Sequence, residues 1–392
     1  MSIELTNDQV YCIYELENWW NKKDKQVFEI SGSPGTGKTF LVKYFIERLG
    51  LKVNNVLYLA YTGKAASILQ QNGLPGKTIH SQIYEFKKKI KRDETGKIVN
   101  HDNGRPVIYK TFELIDHLPK KIKLIVIDEA SMVDKKIAED ILSFGIPIIT
   151  LGDLNQLPPV YGEPYFLKDP DVILTKIMRQ KEGDPIIWLS QELLAGRPLR
   201  RGVYGNSAII AKEDITDFHF KKADIVLTGT NRLRYNINNY FRETLKGIKM
   251  LEYPHVGEKM VCRKNNWSLE IPGGIYLTNG TTGFVDRIDK SSFNKRTMKM
   301  DFRPDFSTKC FKNVTFDYNH LYSVPGSETT DNYAFYYDKM EFAYALTVHS
   351  SQGSQWKNVL YLHEYMKGSD EDNKKLLYTA LTRAVESVIV VM

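Results

Sequence analysis

Gly32-Ser33-Pro34-Gly35-Thr36-Gly37-Lys38-Thr39 has the G-x-x-x-x-G-K-[ST] spacing of a phosphate-binding loop. Gly35, Thr36 and Gly37 would form the cradle, with backbone N–H groups turned inward around phosphate oxygens. Lys38 would reach the β- and γ-phosphates, and the Thr39 hydroxyl would hold Mg²⁺. Such a loop needs a strand before it and a helix after it. Val27-Phe28-Glu29-Ile30-Ser31 reads as a buried strand, and Phe40 to Leu49 as an amphipathic helix stopped by Gly50.

Two further clusters follow in chain order. Lys123 to Glu129 is an apolar strand ending in two carboxylates, Asp128 placed to partner Mg²⁺ and Glu129 to polarise an attacking water. Pro147 to Leu151 is another buried strand, leading into Gly152-Asp153-Leu154-Asn155-Gln156-Leu157-Pro158-Pro159-Val160. A polar cluster just past a buried strand falls at the carboxyl edge of the sheet, where ligands bind, and Gln156 would contact the γ-phosphate or the water. Upstream, the Gln9 amide offers the donor and acceptor that an adenine edge requires; taken alone it reads first as a surface residue at a helix start, and the order of the blocks downstream favours the adenine role.

Composition bounds the rest. The 392 residues allow two or three domains, and 42% hydrophobic content supports their cores. Net charge is +7, which permits a polyanionic partner, and 23 Tyr, 18 Phe and 5 Trp offer rings for stacking on bases. Cys12, Cys262 and Cys310 form no disulfide or zinc pattern, which suits a reducing cytoplasm. The polar start, Met1 to Val10, shows no secretion signal, and no apolar run approaches a membrane span.

A second α/β unit opens with the strand Ile225–Thr228 and a helix from Asn231 to about Leu245. Residues 255–340 change to short alternating strands with Gly and Asn turns, a β module inserted into this unit. The unit resumes at Glu341 and ends on the strand Ser387–Val391. In the first unit, residues 84–112 read as an inserted hairpin carrying the densest basic run, Lys87 to Arg92.

In this order, GSPGTGKT, AYTGKAA, TIHS, IDEAS, GDLNQLPPV, LTKIMRQ, FAYALTVHSSQGSQ and YTALTRA resemble the superfamily 1B helicases, the 5′→3′ group of RecD, Pif1 and phage Dda-type proteins. The resemblance runs from Gln9 to the end of the chain, and the compact length is nearest the Dda-type. It implies an α/β fold of two RecA-like P-loop NTPase domains: residues 1–175 with a strand-separating pin at about 84–112, and residues 176–392 with an SH3-like insertion at about 255–340. ATP and Mg²⁺ would lie between the domains, the first supplying Lys38, Thr39, Asp128, Glu129 and Gln156. Arg383 would neutralise charge on the γ-phosphate, with Arg179 a second such residue, and Gln352 and Gly353 would face the nucleotide.

Single-stranded DNA would cross both domains, gripped by Thr62, Thr78 and His80 in the first and by Asn231, Thr347, His349 and Ser351 in the second. The resemblance further implies a monomer acting on forked duplex in a bacterial or phage-infected cytoplasm, in replication, recombination or repair, with a single-strand-binding protein or other replication proteins as partners. Two positions depart from the family pattern: Ser350 where Lys is common, and Gln355 where an acidic residue is common. The alternatives are the motor subunit of a recombination or exonuclease complex, a nucleotide-switched clamp, and a GTPase. The GTPase reading rests on Asn21-Lys22-Lys23-Asp24, which precedes the phosphate loop instead of following it.

Overall fold

The computed structural model describes residues 5–90, 92, 95–99, 106, 108–158, 164–177, 184–249, 251–272, 275–294, 296–324 and 337–392. In chain order the first part runs α1 (Asn7–Lys22), β1 (Val27–Gly32), α2 (Lys38–Arg48), β2 (Val56–Ala60), α3 (Gly63–Gln71), β3 (Lys77–Thr78), α4 (Ile79–Ile83), β4 (Tyr84–Ile90), β5 (Ile108–Leu114), β6 (Leu124–Asp128), α5 (Lys135–Leu142), β7 (Ile148–Gly152) and β8 (Val172–Leu174). Six of these strands form an all-parallel sheet in the order β3-β2-β6-β7-β1-β8. Helices on its faces bury both sides of such a sheet, which is why its strands read as unbroken apolar runs. Ala60 pairs with Asp128 and Ser31 with Gly152, so the loops after β1, β2, β6 and β7 all emerge at one carboxyl edge.

The second part continues with α6 (Pro185–Leu194), β9 (Gly202–Tyr204), β10 (Ser207–Ile210), α7 (Asp217–Lys222), β11 (Ile225–Thr228) and α8 (Asn231–Tyr240), which widens into a π-helical turn at Phe241–Leu245. After the inserted strands come β19 (Ala345–Thr347), β20 (Trp356–Leu362), α10 (Asp370–Leu381) and β21 (Ala384–Val391). The second sheet has the order β19-β11-β20-β21-β10-β9, parallel except for the edge strand β9. Trp356 pairs with Ala384, so Gln355 and Arg383 lie together at the starting edge of β20 and β21.

The insertion holds β12 (Lys259–Cys262), β13 (Asn266–Ile271), β14 (Ile275–Leu277), β15 (Thr282–Asp289), β16 (Thr297–Pro304), β17 (Phe311–Asp317), α9 (Tyr318–Leu321) and β18 (Met340–Phe342). Five strands make an antiparallel sheet, β17-β16-β15-β12-β18, and β13 and β14 form a hairpin. The core of the insertion, with Met260, Met300, Phe302 and Phe316, is continuous with Val226, Ala345, Leu360 and Val391 of the second sheet. At this junction Arg242 and Glu258 pair at 2.9 Å, both almost wholly buried. The module is therefore built into the second domain and does not hang from it.

Candidate nucleotide site and domain seam

β1 delivers the chain into the phosphate loop, and α2 starts at Lys38. Gly35 and Gly37 adopt φ of 86° and 84°, a region that side chains resist. A Cβ on Gly32 would stand 2.9 Å from the Leu174 carbonyl oxygen, so only glycine fits beneath the loop. Lys38 Nζ donates to the carbonyls of Gly32 at 2.6 Å and Ser33 at 3.1 Å, which holds it across the loop. Thr36 is buried and its hydroxyl donates to the Ser33 carbonyl; Thr39, half-buried, follows Lys38 on the first turn of α2.

Gln9 is only 2% exposed and so is no surface residue. Its Oε1 accepts from the Thr6 N–H at 3.1 Å in a capping box, and its Nε2 donates to the Thr36 carbonyl at 3.0 Å. The amide thus braces the phosphate loop from α1, with one hydrogen and one lone pair left over.

Asp128 ends β6, and Glu129 follows in the left-handed region at φ 54°, its N–H donating to Asp128 Oδ1 at 3.0 Å. Burial and, second, the neighbouring Glu129 push the Asp128 carboxyl up to about 6, while Lys38 pulls the other way. Two carboxylates crowded against one ammonium suit a hard cation with oxygen ligands. From β7, Asp153 and Gln156 reach the same edge, and Gln156 Nε2 lies 3.4 Å from Asp153 Oδ2.

The second domain closes the site. Arg383 is 1% exposed; its guanidinium donates to the carbonyls of Thr379 and Ser354 and to the Thr382 hydroxyl, at 3.1 to 3.3 Å. Burial lowers its pKa, and the charges of Glu129 and Asp153 in the first domain oppose that. Leu157 N–H donates to Thr379 Oγ1 at 2.9 Å, and Gln352 Nε2 donates to the Leu157 carbonyl at 2.6 Å. Tyr378 Oη lies 2.9 Å from Ser33 Oγ and 2.8 Å from Asp153 Oδ2.

The structure therefore brings Lys38, Asp128, Glu129, Gln156 and Arg383 to one cleft. Arg179 lies outside the described residues. Gln352, expected on the nucleotide, spends its amide nitrogen on the seam and leaves Oε1 buried without a partner. Gly353, at φ 70°, abuts Thr62: a Cβ there would sit 3.1 Å from its Oγ1. Sequence reasoning singled out neither Ser33, Asp153, Tyr378 nor Thr379. All four lie inside the recognised blocks, but nothing in one block's spacing tells which of its residues touches another block.

The expected DNA grips are mixed. Thr62 and Thr78 cap α3 and α4, accepting from Ala65 N–H and Ser81 N–H, and Asn231 opens α8 with its Oδ1 accepting from Arg234. Thr347 bonds the Ser350 hydroxyl at 2.9 Å. His80 and His349 are both driven toward the neutral form by burial. Ser351 is 0% exposed and its hydroxyl donates inward to the Val348 carbonyl at 2.6 Å. The inserted module lies against the first domain here, with the Trp267 ring 6.3 Å from His80 and Thr278 against Gly63.

Residues 18–213, half of the chain, match the family model described as an AAA domain, and residues 342–391 match the UvrD-like helicase C-terminal domain. The ATP-dependent RecD2 DNA helicase of Deinococcus radiodurans is 27% identical over 387 residues, covering 91% of this chain and 45% of that protein. The chain belongs to the superfamily 1B RecD/Pif1-like helicases.

Within this family, the phage T4 ATP-dependent DNA helicase dda is 27% identical over 234 residues, covering 56% of this chain and 46% of that protein. The chain spans less than half the length of the curated relatives it matches. Among solved structures, Pif1 helicase from Candida albicans superposes with a TM-score of 0.51 at 20% identity, covering 100% of this chain and 94% of that one. Bacteroides Pif1 bound to ssDNA gives 0.53 at 18% identity, covering 99% and 92%. These superpositions support the pair of RecA-like domains.

Proposed function

We propose that this RecD/Pif1-like chain is an ATP-dependent DNA helicase that moves 5′→3′ on single-stranded DNA and unwinds forked duplex. One observation carries the reading: Tyr378 and Thr379, on the helix just before Arg383, hydrogen-bond Ser33, Asp153 and Leu157 of the first domain, so a hydrolytic set that includes Arg383 would be complete only across the cleft. Lys38 and Arg383 neutralise charge on the γ-phosphate, with Arg179 in the same role; Glu129 polarises the attacking water and Gln156 orients it. Thr39 and Asp128 would hold Mg²⁺. When bound, that cation would supply charge neutralisation at the phosphates.

Each opening and closing of the cleft shifts Thr62, Thr78 and His80 relative to Asn231, Thr347 and His349, and that shift is the step along DNA. The Bacteroides Pif1 structure holds ssDNA, which supports the same substrate here. The domain division near residue 175, the monomeric state, a single-strand-binding partner and the 5′→3′ direction follow the family and belong to this proposal. Among the described residues no helix is long and apolar enough to cross a membrane. The test is ATP hydrolysis by the full chain with and without oligothymidylate, followed by strand separation of a tailed duplex. Hydrolysis indifferent to DNA would overturn the reading.

A further inference from the structure

Tyr378 is the one side chain that touches both the phosphate loop and the Asp153 segment from across the cleft, among the described residues, through contacts of 2.9 Å to Ser33 Oγ and 2.8 Å to Asp153 Oδ2. It is 1% exposed, on α10, five residues before Arg383. A phenol carries one proton. The carboxylate takes it, since a hydrogen bond to a charged acceptor is about twice as strong as a neutral one. Ser33 Oγ–H must then donate to the phenol oxygen. The result is a directed chain, Ser33 to Tyr378 to Asp153, and Asp153 Oδ2 in turn holds Gln156 Nε2 at 3.4 Å. The other carboxylate oxygen of Asp153 accepts from the Asn155 N–H at 3.0 Å. Burial with Asp153 alongside holds the phenol protonated, so the chain keeps its direction.

We infer that Tyr378 is a positioning residue for ATP hydrolysis: its hydroxyl ties closure of the second domain onto Ser33 to the orientation of Gln156 through Asp153. The inference rests on the reading of the cleft as an ATPase site. It separates two functions. Lys38 and the loop amides bind the triphosphate from the first domain alone, so Tyr378 acts on the hydrolytic step more than on binding.

The experiment compares kcat and ATP KM for the full chain under saturating oligothymidylate. Tyr378→Phe keeps the ring and the packing; the expected result is a kcat lowered about tenfold with KM within about twofold of wild type. Asp153→Asn added to Tyr378→Phe costs little more than Asp153→Asn alone, because the groups act as one unit. Tyr365→Phe, which removes an exposed hydroxyl bonded to Asp370 and distant in role, leaves both constants unchanged. Tyr378→Phe turning over at the wild-type rate would overturn the inference, as would losses from Tyr378→Phe and Asp153→Asn that simply multiply. If Tyr378→Phe melts below the assay temperature, Ser33→Ala tests the other end of the chain: a lowered kcat supports it and a wild-type kcat overturns it. A wild-type chain without DNA-stimulated hydrolysis defeats the ATPase reading itself, before any variant is compared.

Discussion

The Gln9 amide nitrogen donates to the Thr36 carbonyl at 3.0 Å, so a residue 27 positions upstream holds up the phosphate loop from below. Gln9→Ala removes this brace and the reciprocal bond to the Thr6 N–H. The expected outcome is a loss of about 1 kcal/mol of stability, as for other lost helix caps, seen as a lower melting temperature. ATP KM rises by roughly tenfold, the equivalent of about 1.4 kcal/mol. If the remaining hydrogen and lone pair read adenine, the wild type prefers ATP over GTP and the variant does not. An equal KM for both nucleotides in both proteins would leave Gln9 as a brace only.

Lys38 spans the loop through the Gly32 and Ser33 carbonyls, and it is the cation that the loop itself supplies. Lys38→Ala should lower ATP turnover by about two to three orders of magnitude, the usual cost of losing one charge stabiliser in a closed site. The circular-dichroism spectrum should stay unchanged, because Lys38 is only half-buried. Turnover at the wild-type rate would remove Lys38 from the site.

Much of this site was legible because its residues are contiguous. The loop from Gly32 to Thr39, the strand ending at Asp128 and Glu129, and the cluster after Leu151 each carry their chemistry within a few positions. The stretch between Asp184 and Asp224 was not legible. There, β9 has three residues and exposes Val203 at 81%, so it shows neither alternation nor an apolar run. It is a strand only because β10 pairs with it. The seam was illegible for a different reason. Ser33, Asp153 and Tyr378 meet across 345 residues of chain, and no local pattern encodes a contact at that range. The DNA role of Ser351 came from the resemblance alone, and no local pattern shows that its turn folds the hydroxyl onto the Val348 carbonyl.

Glu341, on β18, pairs with Arg234 of α8 and with Arg263 at 2.6 Å, and joins the inserted module to the second domain. Burial alone would raise its pKa, but His320 and the two arginines hold it well below the usual carboxylate range. A depressed carboxylate stabilises the fold above its unfolded pKa, and that contribution is lost as pH falls through the folded value. Glu341→Gln should cost about 3 kcal/mol at neutral pH, since it leaves the buried Arg234 guanidinium without its carboxylate partner. In urea unfolding, the gap between wild type and variant should be full at pH 7 and should narrow below the ordinary glutamate value of 4.5. A gap independent of pH would show that packing, not charge, sets the cost.

The hairpin β4–β5 makes the last prediction, which concerns strand separation. Seven residue pairs hold it in register from Tyr84–Leu114 to Ile90–Ile108, two residues beyond the expected end at 112. Tyr84 Oη fixes its base to Asp140 of α5 at 2.5 Å. Its basic character is partly spent: Lys87 pairs with Glu85 and Glu113, and Lys89 with Glu113. Glu85 and Glu113 thus offset part of the basic run, and the paired strands supply the element on which a pin would be built. Parting a duplex costs about 1–2 kcal/mol per base-pair step, which ATP hydrolysis covers only when a rigid element blocks the second strand. Deleting residues 88–106 while keeping the Tyr84 anchor should abolish unwinding and leave DNA-stimulated ATPase within about twofold of wild type. The substrates are two partial duplexes, one with a 5′ single-stranded tail and one with a 3′ tail, and the wild type should open the 5′-tailed one. Opening of the 3′-tailed duplex alone would reverse the direction, and full unwinding by the deletion would make the hairpin an ordinary charged loop.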